Sequence, residues 1–218
     1  MNSVVVAIDG PSGSGKSSTS RGVAARLGLR YLDTGAQFRA ITYWMLEHDV
    51  DVTDPAAIAK HAEQGRLESG TDPLDPTIEM DGIDVSQAIR GSAVTNAVSP
   101  VSAVPEVRAR LLALQREIIG AGGIVVEGRD IGSVVWPEAA VKVYLTADTE
   151  ARALRRAAEE GGSDVAATHA SLAARDRIDS GRTTAPLTRV QGAVHVDSTY
   201  LTLDEVIGQI VALVETAS

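Results

Sequence analysis

The residues with the most chemical content lie within the first eighteen. Gly10-Pro11-Ser12-Gly13-Ser14-Gly15-Lys16-Ser17 fits G-x-x-x-x-G-K-[ST] at every fixed position, between a run of β-branched residues and a helical pattern. Glycines let successive backbone N–H groups turn inward on an anion, and the helix N-terminus that follows adds partial positive charge. Lys16 is placed to reach the β- and γ-phosphates of a nucleotide. The Ser17 hydroxyl can ligate Mg²⁺, with Ser18 beside it in the same turn. The chain has only three lysines, Lys16, Lys60 and Lys142, so one inside a glycine-rich turn carries weight. Nucleoside triphosphate binding follows. Guanine recognition through Asn-Lys-x-Asp is absent around Lys60 and Lys142, and no strand ends in Asp-Glu as a motor ATPase requires. A kinase for a small molecule is the class that remains.

Such a kinase holds a second substrate whose attacking oxygen lies near charge, which calls for arginines on loops at the carboxyl ends of strands. Three segments offer them. Asp33-Thr34-Gly35 runs on to Arg39, and Gly128-Arg129-Asp130 follows an apolar strand. The third places Arg175, Asp179 and Arg182 at i, i+4 and i+7, on one helix face. Plainer readings stand beside these: a capping turn at Gly-Arg-Asp, and an exposed salt-bridge row worth roughly a few tenths of a kcal/mol per pair.

The elements that must position these groups alternate in kind. Strand-like runs occur at residues 4–8, 31–33, 124–126, 141–145 and 193–196. Helical patterns occupy 16–27, 35–48, a short stretch from 54, 105–119, 148–160 and 202–214, and a polar helical tract runs from 163 toward 181. This alternation predicts an α/β fold in three layers, with a parallel five-stranded sheet between helices. Residues 66–90 differ. Arg66-Leu67-Glu68-Ser69 is strand-like, and Asp81-Gly82 between two short apolar runs marks a hairpin, so a small antiparallel insert is expected. The 218 residues carry 20 Lys+Arg against 29 Asp+Glu, a net charge of -9 that argues against a nucleic acid polymer as partner. No apolar run reaches the roughly 18 residues of a membrane span. The first nine residues lack the basic region and cleavage site of a secretory signal. The absence of cysteine excludes a disulfide scaffold and a cysteine nucleophile, and fits a cytoplasmic location.

Asp33-Thr34-Gly35-Ala36-x-x-Arg39 resembles the D-[ST]-G-A-x-Y-R segment of the bacterial cytidylate kinases. Ile89-Arg90, Val107-Arg108 and Gln115-Arg116 follow in the family's order. Gly128-Arg-Asp-Ile-Gly-Ser-Val-Val-Trp-Pro137 is similar to its G-R-D-x-G-T-V-V-x-P, Arg175-Asp176-x-x-Asp179-x-x-Arg182 to its R-D-x-x-D-x-x-R, and Asp197-Ser198-Thr199 to a late D-S-T. The likeness spans nearly the whole chain. It implies a P-loop nucleoside monophosphate kinase that passes the ATP γ-phosphoryl group to CMP or dCMP, with Mg²⁺. By this resemblance Ser99, Arg108 and Asp130 face the base; Arg39, Arg129 and Arg182 hold the monophosphate; Arg175 and Asp179 reach the sugar; Thr34 lies on the CMP side. Gly10 to Ser18, with Arg152 and Arg156, face ATP, and Lys16, Arg129 and Arg182 carry catalysis. The implied division is a core of 1–65, 91–155 and 183–218, an NMP-binding insert of about 66–90, and a short helical lid of about 156–182 hinged near Gly161-Gly162-Ser163. A monomer without nucleic acid or membrane partners is implied. Phe38 stands where the family has Tyr, and Ser133 where Thr is common. Kinases for AMP, UMP or shikimate, and a non-catalytic nucleotide sensor, are the alternatives. Three separate arginine clusters speak against the sensor.

Overall fold

Alternation of side chains along the first strand decides the layering. In β1 (Val5–Asp9) every residue is buried. Val6 and Ile8 join one apolar cluster, whereas Val5 and Ala7 join another on the opposite face. A strand buried on both sides requires a helix layer on each, and the computed structural model, which describes residues 3–159, 164–181 and 187–217, supplies them.

Five parallel strands form the main sheet: β1, β2 (Arg30–Asp33), β6 (Ile124–Gly128), β7 (Val141–Thr146) and β8 (Val194–Asp197), in the order β2-β6-β1-β7-β8. The five-stranded parallel expectation therefore holds. On one face lie α1 (Lys16–Leu27) and α8 (Leu203–Ala217), with Val23, Ile207 and Ile210 packed on Ile8, Val143 and Val196. On the other lie α5 (Pro105–Ile119) and a wide turn over Ile131–Val135. Each fully buried Val, Leu or Ile here contributes about 1.5–3 kcal/mol relative to exposure.

A third apolar cluster joins α2 (Thr34–Glu47), α3 (Pro55–His61), α4 (Ser92–Ala103) and α5 to a three-stranded antiparallel sheet, β3 (Leu67–Ser69), β4 (Ile78–Met80) and β5 (Ile83–Asp84). The Asp81-Gly82 turn joins β4 and β5, both residues at positive φ. This small sheet is tied to the core by backbone as well as by packing. The Tyr31 amide on the outer edge of β2 donates to the Thr71 carbonyl at 2.9 Å, and Arg21 Nε on α1 donates to Pro73 O at 2.9 Å. Two further helices, α6 (Thr149–Glu159) and α7 (Val165–Gly181), pack on each other above the carboxyl ends of the strands. The expected hinge at 161–163 and the residues 182–186 lie outside the described residues.

α4 is an element that periodicity did not reveal. Pro100 falls inside it and breaks the pattern by composition. Its apolar face at Val94, Ala97, Val98 and Val101 nonetheless follows i, i+3, i+4, i+7 and is buried.

Candidate active site

β1 is the centre of the sheet, with chain continuing to either side of it. A loop leaving its carboxyl end therefore opens into the crevice where strand order diverges. Residues 10–15 are that loop. Gly10 lies so close to β7 that an added Cβ would sit 2.0 Å from the Leu145 carbonyl oxygen. Gly15, at φ 84°, turns the chain into α1 in a conformation that disfavours other side chains. Arg155 Nη1 donates to Ser198 Oγ at 3.0 Å, and that hydroxyl reaches the Ser14 carbonyl at 3.3 Å, so the late Asp-Ser-Thr segment buttresses the loop.

A cavity of about 470 Å³ begins at this loop and extends toward α2, α4 and the carboxyl end of β6. Eight cationic side chains and three carboxylates line it, although the chain as a whole is strongly acidic. At the loop end, Ser12, Gly13 and Gly15 to Ser18 form the wall, with Arg155 and Arg156 of α6 opposite. Gly10, Pro11 and Ser14 lie behind this wall. The Lys16 ammonium donates to the Pro11 carbonyl at 2.7 Å. Burial lowers the pKa of Lys16, and the Arg129 guanidinium lowers it further.

At the far end, Arg108 and Asp130 form a close ion pair through Nη2 and Oδ2, with both side chains nearly buried. Arg108 also donates from Nη1 to Ser102 O at 3.1 Å, and its guanidinium lies 5.4 Å above the Phe38 ring. Ser99 lines the cavity beside them. Between the two ends lie Arg39, whose Nη1 donates to Thr95 Oγ1 at 3.3 Å, and Arg129. Thr34 lines the same stretch and donates from Oγ1 to the Glu127 carbonyl at 2.7 Å.

Of the residues singled out by sequence, Lys16, Ser17, Ser18, Thr34, Arg39, Ser99, Arg108, Arg129, Asp130 and Arg156 thus share one cavity. Arg152 does not line it: its guanidinium donates to Ala147 O, Ser12 O and Thr149 Oγ1 and forms an ion pair with Asp176. Arg182 and the side chains of Arg175 and Asp179 lie outside the described residues, although positions 175 and 179 belong to α7.

Sequence reasoning gave Glu127 no role, and it named Asp33 only as part of its segment, without a role for the carboxylate. Glu127 is buried at the end of β6, accepts from Ser17 Oγ at 3.1 Å, and accepts the Tyr31 hydroxyl through its other oxygen. Burial raises its pKa, and the Asp33 charge raises it further. Asp33 caps α2 by accepting from the Ala36 amide at 2.9 Å and lines the cavity as well. No local motif marks Glu127, because its partners come from β2 and α1, roughly a hundred residues away in the chain. Asp9 is held beneath the site by the Ile131 and Gly132 amides, both at 2.8 Å, and burial pushes its pKa up to about 6. Among the described residues no three His, Asp or Glu cluster closely enough to hold a metal by themselves.

A family model described as cytidylate kinase matches residues 6–216. The chain is 60% identical over 216 residues to the cytidylate kinase of Streptomyces griseus subsp. griseus, covering 98% of this chain and 94% of that protein. It is 58% identical over 214 residues to the cytidylate kinase of Streptomyces coelicolor, covering 97% of this chain and 93% of the relative. A crystal structure of an uncharacterized protein from Eubacterium ventriosum superposes with a TM-score of 0.56 at 9% identity, over 98% of this chain and 99% of that chain, a likeness of fold alone.

Proposed function

The chain belongs to the cytidylate kinase family, and from that premise we propose that it transfers the γ-phosphoryl group of ATP to CMP or dCMP, giving ADP and CDP or dCDP. The observation that supports this reading best is the single cavity, with a phosphate-cradling loop at one end and the Ser99, Arg108 and Asp130 cluster at the other.

The chemistry follows from the groups present. The attacking oxygen belongs to a phosphate that is already anionic, so no strong general base is required. Rate comes from holding two nucleotides in line and from neutralising charge on the passing phosphoryl group. Backbone amides of residues 12–17 would cradle the triphosphate. Lys16 carries its positive charge more readily once phosphate oxygens replace the Pro11 carbonyl as its partner, because the added negative charge opposes the effect of burial. Arg39 and Arg129, with Arg182, would hold the acceptor phosphate, and Arg175 and Asp179 the sugar. Cytosine presents acceptors at O2 and N3 and a donor at N4. Arg108 and Ser99 supply donors, and Asp130 supplies the acceptor. Uracil reverses the polarity at N3 and at position 4, leaving buried groups unmatched.

Ser17 Oγ and Glu127 Oε2, 3.1 Å apart, with Asp33 on the same wall, are the hard oxygen donors that Mg²⁺ favours when it keeps several waters and phosphate ligands. Bound there with ATP, Mg²⁺ would supply charge neutralisation at the β- and γ-phosphates. We assign the small sheet and its loops, about 66–90, to acceptor binding, and about 156–182 to a lid on the core of 1–65, 91–155 and 183–218. No helix among the described residues is long and apolar enough to cross a membrane. A cytoplasmic monomer completes the proposal.

ADP release measured in parallel with CMP, dCMP, UMP, AMP and shikimate tests it. Turnover with CMP and dCMP, with CDP or dCDP as product, is the expected result. Fast turnover with AMP and none with CMP would overturn the assignment.

A further inference from the structure

We infer that Asp176 and Arg152 are positioning residues that tie the helix over the site to the phosphate loop, so that occupancy on the acceptor side is felt on the donor side. The inference rests on the kinase reading above and adds to it a physical link between the two nucleotide sites.

The link is built from Arg152, which is only 4% exposed. Its Nε donates to Ala147 O at 3.1 Å, its Nη1 to Ser12 O at 3.0 Å, and its Nη2 to Thr149 Oγ1 at 2.9 Å, while Nη2 also lies 2.7 Å from Asp176 Oδ2 in an ion pair. A guanidinium has five N–H donors in a fixed fork, and all three of its nitrogens are engaged here. Arg152 in this arrangement is a strut between elements rather than a ligand of phosphate. One arm fixes a carbonyl of the phosphate loop, and another fixes α7.

The loop tip is also enclosed by the two helices. A Cβ added to Gly13 would lie 3.3 Å from Arg152 Cβ and 3.7 Å from Leu172 Cδ1 of α7. A displacement of α7 therefore acts on residues 12 and 13 through both packing and the ion pair. Meanwhile α7 packs against α4, the helix that carries Ser99, and holds Asp176 one residue from Arg175 and three from Asp179. The helix stands between the acceptor side and the donor loop.

The pair is a costly one. Asp176 Oδ1 is buried without a hydrogen-bond partner while Oδ2 meets Arg152. An ion pair between a buried guanidinium and a partly buried carboxylate with one unmatched oxygen is a poor way to gain stability, and an apolar contact between α6 and α7 would serve that end better. Orientation of the loop is what the charged pair adds.

By linkage, if CMP favours the strutted arrangement, CMP tightens the binding of the donor nucleotide and the donor tightens the binding of CMP by the same factor. Calorimetry with Mg²⁺ and a non-hydrolysable ATP analogue, with and without saturating CMP, reads that factor directly. In the natural chain CMP should tighten analogue binding by about fivefold or more. In Asp176→Asn the factor should fall to within about twofold of unity, while analogue affinity in the absence of CMP changes by less than about threefold. Arg152→Lys, which keeps the charge and loses the fork, should show the same collapse and carries the test if Asp176→Asn fails to fold. A merely structural pair would lower the melting temperature and leave the factor intact, which would overturn the inference; so would a natural chain in which CMP has no effect on analogue binding. CDP formation is assayed in the same preparation. Its absence would defeat the kinase reading itself, whereas CDP formation with an unchanged factor in both variants would defeat only the strut.

Discussion

Asp130 and Asp9 show how one residue type does two different jobs a short distance apart. Asp130 lines the cavity with its carboxylate oriented by Arg108, so it can accept from an exocyclic amine. In Asp130→Asn the amide can donate instead, and it no longer pairs with the guanidinium. The kcat/KM preference for CMP over UMP should fall by about tenfold or more. An unchanged ratio in competition assays would show that Asp130 does not read the base. Asp9 accepts two backbone amides and faces no solvent, and its pKa rises from 3.8 to about 6 through burial. Between those values the folded chain keeps a proton that the unfolded chain has released. The contribution of Asp9 to stability therefore falls as pH rises through that window, by on the order of 3 kcal/mol across it. Asp9→Asn cannot titrate and offers one acceptor oxygen to two amides. It should lose that part of the pH slope and be less stable than the natural chain near pH 5 by about 1–3 kcal/mol. Denaturant unfolding of both chains at several pH values measures the difference, and identical slopes would exclude Asp9 as the titrating group.

At the scale of elements, the contact between the phosphate loop and β7 is the tightest constraint near the site. Gly10→Ala would place a methyl group 2.0 Å from a backbone oxygen that cannot swing aside. Forcing this costs about 1–3 kcal/mol, which should lower the melting temperature by roughly 5 °C. The displaced loop should raise the KM for ATP more than that for CMP, and equal changes in the two would count against local distortion. The strands, the long helices and the hairpin insert were legible in the sequence because each carries its own period or turn signal. α4 was not, since Pro100 hides a buried stripe that only its packing against α2 and α5 makes evident. The phosphate loop was legible because its chemistry is written in one contiguous stretch. Glu127 was illegible for the opposite reason: its role exists only where β6, β2 and α1 converge. An arginine near a lid, such as Arg152, looks the same in sequence whether its fork meets a nucleotide or protein acceptors.

The molecule as a whole carries -9, yet its central cavity is lined by an excess of cationic side chains. A concave basic site in an acidic protein concentrates anionic substrates locally while the outer surface repels them. Raising ionic strength from about 0.02 to 0.3 M should therefore raise the KM for CMP severalfold, with kcat changed by less than about twofold. A KM insensitive to salt would show that recognition is confined to direct contacts. The small antiparallel sheet has a further effect on the whole. Where Thr71 accepts the Tyr31 amide, its loop seals one margin of the main sheet against other chains. An unsealed margin is a template for strand addition between molecules. Excising residues 66–90 to make a minimal enzyme would thus do more than remove acceptor contacts: the trimmed protein would tend to aggregate, its bare β2 offering a docking rail to its neighbours.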